Sequence, residues 1–166
     1  RYGVAINSGT SGLHLIVRAM GLKDGDEVIT TSFSFVASSN CLLFERVTPV
    51  FADIDPDTLN IDPNQVKSKI TAKTKAILPV HVFGQVTDMD PIRDLAQQNG
   101  LKIIEDACEA IGAEYKGRRA GSLGDAGVFA FYPNKQMTTG EGGVIVTDDA
   151  EIAGLCRSMR NQGRGE

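Results

Sequence analysis

Short β-branched runs alternate with helix-patterned stretches along the whole chain, and this alternation leaves few folds open. Seven runs read as strands: Val4–Asn7, Glu27–Thr31, Pro49–Asp53, Ala76–Val80, Lys102–Glu105, Gly127–Phe131 and Val144–Thr147. Ser11–Met20 carries Leu13, Ile16, Val17 and Met20 on one helical face, and Gly21 closes it. Helices are also expected over Phe35–Phe44, from Pro63 to Ile70 behind an Asp62 cap, over Pro91–Gln98 behind Asp88 or Asp90, and from Asp149 to Met159. The pattern predicts a three-layer α/β/α domain around a mostly parallel, seven-stranded sheet. No repeat or linker interrupts the 166 residues, so they form one domain or a large piece of a bigger one.

Composition narrows the function classes. Lys plus Arg is 17 and Asp plus Glu is 21, a net charge of 17 − 21 = −4. Such a chain lacks the basic footprint of a nucleic-acid or anionic-membrane binder. Its apolar runs are too short to span a bilayer. Cys41, Cys108 and Cys156 are widely spaced, form no CxxC pair, and are expected to be reduced thiols of a cytoplasmic protein. With only His14 and His81 to add, no zinc site is expected. The chain opens inside a strand pattern and closes just after a helical one, so it is expected to be incomplete.

In an open α/β sheet, ligands bind beyond the carboxyl ends of the strands. Three segments there carry chemistry. Asn7-Ser8-Gly9-Thr10-Ser11-Gly12 leads from a strand into a helix, where free N–H groups and the helix dipole favour an anion and glycine permits close approach. An ordinary Ser/Thr cap would look the same, and the segment is neither a Walker A loop nor GxGxxG. Glu105-Asp106-Ala107 ends an Ile-Ile strand, as a helix cap or as a carboxylate with a cationic partner. Lys135 lies in Phe131-Tyr132-Pro133-Asn134-Lys135-Gln136-Met137-Thr138-Thr139-Gly140-Glu141-Gly142-Gly143, between two strands. Most lysines are solvated surface charges, but one held among apolar groups can form a Schiff base. An anion cradle, an acid and a reactive lysine together point to pyridoxal 5′-phosphate, with Phe33 or Phe35 to lie over its ring.

The sequence resembles the DegT/StrS family of nucleotide-sugar aminotransferases. The matching residues are Gly9–Gly12, Asp26–Thr30, Phe33–Asn40, Thr48–Phe51, Ile77–His81, Glu105–Ala107, Ala113–Gly117 and Asn134 through Gly143. The resemblance implies a fold type I large domain over residues 1–166, with a small C-terminal domain expected beyond it. It implies transamination of a keto-deoxy nucleotide sugar, with glutamate as donor, toward an amino sugar for polysaccharide or secondary metabolism. It further implies a homodimer with shared sites, while the charge balance and short apolar runs leave no nucleic-acid or membrane partner expected. Lys135 would anchor the cofactor and move the proton, and Asp106 would pair with the ring nitrogen. Gly9, Thr10 and Ser11 would hold the phosphate, Phe35 would stack on the ring, and Glu109 would contact the ring hydroxyl.

Two positions depart from the family pattern. Ala130 stands where a phosphate-binding serine is usual, and Gln162-Gly163 replaces a His-Gly pair. The alternatives are a dehydratase-like relative, which would lack the lysine, a lyase or desulfurase of the same fold, and a non-catalytic regulatory protein. A dinucleotide-binding domain is excluded for want of the glycine fingerprint.

Overall fold

The computed structural model describes residues 1–165. Seven strands form one sheet in the spatial order β1-β9-β8-β5-β4-β2-β3. They are β1 (Tyr2–Ile6), β2 (Glu27–Thr31), β3 (Thr48–Ala52), β4 (Thr74–Ile77), β5 (Lys102–Asp106), β8 (Ala126–Ala130) and β9 (Gly143–Thr147). Neighbours pair in parallel from β3 to β8, whereas β9 runs antiparallel to both β8 and β1. Every strand except β9 therefore ends on the same edge of the sheet. The predicted three-layer fold with a mostly parallel seven-stranded sheet is the observed one.

Five helices cover the two faces: α1 (Gly9–Ala19), α2 (Ala37–Leu43), α3 (Pro63–Lys69), α4 (Met89–Asn99) and α5 (Ala150–Arg160). Leu13, Ile16 and Val17 of α1 share one core with Cys41 and Leu42 of α2 and with Ile152 and Cys156 of α5. Val66 of α3 and Met89, Ile92 and Ala96 of α4 fill the other core. Strand residues alternate between these layers, as the two-residue period requires. Val28, Ala76 and Ile104 enter the first core, and Ile29, Ile77 and Ile103 the second.

Local chemistry sets the ends of these elements. Ser8 caps α1 by accepting from the Ser11 N–H, and Gly21, at φ +71°, follows its last turn. Asp149 caps α5 through the N–H groups of Glu151 and Ile152. α2 starts two residues later than expected, because no side chain caps it and the Ser34 hydroxyl turns to Ser38 instead. β4 stops at Ile77 rather than Val80, since Pro79 has no N–H for the ladder. The alternation gave no sign of a small hairpin, β6 (Glu114–Tyr115) and β7 (Arg118–Arg119). Lys116 and Gly117 turn it with both φ angles positive, the signature of a tight two-residue connection.

Candidate active site

A cleft of about 810 Å³ opens at the edge where the parallel strands end. Each wall is the segment next to a different strand: Ser8–Thr10 after β1, Ser32–Phe35 after β2, Val80–Phe83 beyond β4, Asp106–Glu109 at β5, and Lys135 between β8 and β9. Lys135 is only 14% exposed, and its Nζ donates to Glu109 Oε1 at 3.1 Å. The other Glu109 oxygen accepts the Phe83 N–H at 3.1 Å. That turn is unusual, since Phe83 has φ +53° and Gly84 φ +88°. Asn60 clasps it by accepting from the Val82 N–H and donating to the Gln85 carbonyl. The connection that carries Lys135 is tied across its base, where the Phe131 N–H donates to Gly142 and the Phe131 carbonyl accepts from Thr139.

Asp106 is 6% exposed and faces the cleft, while Glu105 points to the opposite layer. There Glu105 is wholly buried and accepts the N–H groups of Gly121, Leu123 and Gly124 at 2.6–2.7 Å. Its fourth partner is His81 Nε2 at 3.0 Å. The Thr87 N–H donates to His81 Nδ1, so Nε2 carries the proton that goes to Glu105. A buried carboxylate with four donors is a structural knot, in contrast to its neighbour. Asp106 Oδ2 accepts the Ser38 hydroxyl at 2.6 Å, and Oδ1 accepts the Cys108 N–H at 3.3 Å.

Two thiols flank this carboxylate. Burial and then the Asp106 charge push Cys41 up to about 12. The same two causes raise Cys108 well above its ordinary value. Both stay protonated, which argues against thiolate chemistry in the cleft. At the start of α1, a Cβ on Gly9 would lie 2.8 Å from Cys108 Sγ and 2.9 Å from the Ala130 Cβ. Only glycine lets the first turn of α1 sit this close to the cleft floor.

The sequence model of the DegT/DnrJ/EryC1/StrS aminotransferase family matches residues 1–166. The chain belongs to this family. It is 48% identical over 163 residues to the GDP-perosamine synthase of Caulobacter vibrioides, covering 98% of this chain and 44% of that protein. An aminotransferase structure from Psychrobacter cryohalolentis superposes with a TM-score of 0.98 at 40% identity, covering 99% of this chain and 42% of the other. NtdA from Bacillus subtilis, solved with bound cofactor PMP, gives a TM-score of 0.88 at 41% identity over 95% of this chain and 36% of that one. The chain thus spans less than half the length of the relatives it matches.

In this DegT-family chain, Gly9, Thr10, Phe35, Asp106, Glu109 and Lys135 all line one cleft. Ser11 does not. Its hydroxyl donates to Asn7 Oδ1 and lies 2.9 Å from the Ser8 carbonyl, and its N–H goes to the Ser8 hydroxyl. The Ser8 cap has drawn it to the far side of the helix end. Phe35 stands at the mouth, 73% exposed. Phe33 instead meets Phe83 edge-on, with ring centroids 6.1 Å apart. Ser34, Ser38, His81 and Phe83 were missed as site residues. For Ser38 no local signal existed, since its partner Asp106 lies 68 residues further on. Among the described residues no helix is long and apolar enough to cross a membrane, and no acidic, His or Cys cluster could hold a metal ion.

Proposed function

We propose that this chain is the cofactor-binding domain of a pyridoxal-phosphate-dependent aminotransferase that converts a keto-deoxy nucleotide sugar into an amino sugar. The observation that carries the reading is the convergence of a half-buried helix start, a buried carboxylate and a sequestered lysine on one cleft. This donor set fits the cofactor's three ends: phosphate, ring nitrogen and aldehyde. When bound, pyridoxal phosphate supplies an aldehyde that takes up an amine and a ring that accepts electron density. Lys135 Nζ is the amine that anchors it and then carries a proton to and from the substrate carbon. Asp106 holds a positive charge at the ring nitrogen, and Glu109 shares the space beside Lys135. Thr10 and the free N–H groups of α1 receive the phosphate, with Gly9 allowing close approach. The names of the relatives favour a sugar substrate, and glutamate is the proposed donor. The complete protein acts as a cytoplasmic homodimer, and turnover requires the small domain beyond this chain.

The lysine gives the sharpest test. Borohydride treatment of the cofactor-loaded full-length protein should fix the cofactor to the peptide containing Lys135, as seen by mass spectrometry. Lys135→Ala should retain cofactor but lose turnover by at least about 10³-fold, since anchor and proton carrier go together. Labelling at another lysine, or an active variant, overturns the reading. The sugar follows from incubating the full-length protein with glutamate and several keto-deoxy nucleotide sugars and identifying the product by mass and NMR.

A further inference from the structure

The Asp106 carboxylate does not stand alone in its wall of the cleft. Ser38, on the first turn of α2, is 1% exposed and donates to Asp106 Oδ2 at 2.6 Å. A serine has one hydroxyl proton, and Ser38 commits it to Asp106. The 2.6 Å contact between Ser34 and Ser38 is therefore donated by Ser34. The result is a directed chain, Ser34 to Ser38 to Asp106, running from the exposed cleft wall to the buried acid, and each bond strengthens the next. The neighbours of Asp106 add no second strong donor. The Cys108 N–H reaches Oδ1 at the longer 3.3 Å, the protonated Cys108 thiol is only a weak donor to the same carboxylate, and Lys135 Nζ is bonded to Glu109.

We propose that Ser38, polarised by Ser34, is a positioning residue for Asp106: its hydroxyl fixes the carboxylate and weakens its basicity, so that the proton shared with the cofactor stays on the ring nitrogen. This rests on the reading of Asp106 given above. When an acid and a ring nitrogen share one proton, the more basic partner keeps it. Removing a hydrogen bond from the carboxylate makes it more basic and draws the proton toward oxygen. The ring then accepts electron density less well, and proton transfer at the substrate carbon slows.

The test loads the full-length protein with pyridoxal phosphate labelled with ¹⁵N in the ring and reads that nitrogen by NMR. In S38A its resonance should move toward the neutral-pyridine position. The single-turnover rate with glutamate should fall about tenfold to a hundredfold, the effect of losing one hydrogen bond to a charged group. KM for the sugar should stay near its original value. S38T, which keeps the hydroxyl, should restore the resonance, and S38C, a weaker donor, should fall between. A purely structural tie between α2 and β5 would lower the melting temperature and leave the resonance where it was. An unmoved resonance in both S38A and S38C overturns the proposal. D106N separates the two ideas: if its resonance too is unmoved, the pairing of Asp106 with the ring has failed, and otherwise only the role of Ser38 has.

Discussion

Gly9 is the residue at which the helix and the cleft floor compete for the same space. Its backbone is helical, so alanine would suit it conformationally, by up to about 1 kcal/mol. The steric term opposes this, with a new methyl 2.8 Å from Cys108 Sγ and 2.9 Å from the Ala130 Cβ. Overpacking at a tight contact costs about 1–3 kcal/mol, so the clash should win. Gly9→Ala is expected to lower the urea midpoint, and adding Cys108→Ala should recover part of the loss by removing one of the two contacts. A Gly9→Ala protein as stable as the original would show that the helix start has room to move. The same contact gives Ala130 a packing role: its methyl sits against the glycine.

At the scale of elements, α1 and the end of α2 are pinned by one carboxylate. Glu45 accepts from His14 Nε2 at 2.6 Å and from Arg18 at 3.1 Å, two residues four apart on α1. The hydrogen bond from His14 holds the Glu45 carboxyl below its ordinary range, against a smaller opposing effect of burial, with Arg18 adding to the lowering. A carboxylate whose folded value is depressed stabilises the fold above its unfolded value, about 4.3. That contribution is lost as pH falls through the lower folded value. The denaturation midpoints of the original protein and Glu45→Gln should therefore differ near neutral pH and converge in acid, once the pH has fallen through the lowered folded value. A gap that stays constant across that range would mean that packing, not charge, ties the two helices. The pair is partly exposed, so added salt should narrow the gap.

Seen whole, the cleft edge carries several of the molecule's exposed aromatic side chains. Phe35 and Phe83, which line the cleft, are more than 70% exposed, and Tyr132 in the same wall is about half exposed. Exposed aromatic side chains grouped at one cleft mark a surface that another body covers. A second copy of the full-length protein is the proposed cover, consistent with a cleft shared between subunits. Sedimentation should show a dimer, and Phe83→Glu should shift it toward monomer while lowering turnover. A fully active monomer would instead assign that surface to the remainder of its own chain.

Much was legible from sequence because it is local. The alternation of strand and helix patterns needs only periodicities of 2 and 3.6, and caps and glycines need only near neighbours. The strand ends then placed Gly9, Asp106 and Lys135 on one edge, since a parallel sheet collects its carboxyl ends there. Tertiary structure decided what depends on distant residues. Which member of Glu105-Asp106 meets the cleft follows from which layer each strand face covers, and Glu105 found its partners 16 to 24 positions away. Ser38 meets Asp106 across 68 residues, and no local pattern encodes that distance. Ser11 lies beside the cleft in sequence but outside it in space, its hydroxyl bonded to Asn7 Oδ1 at the end of β1. A chain's sequence specifies which groups are near one another along the backbone, whereas a site depends on which hydrogen bonds survive once the layers close over them.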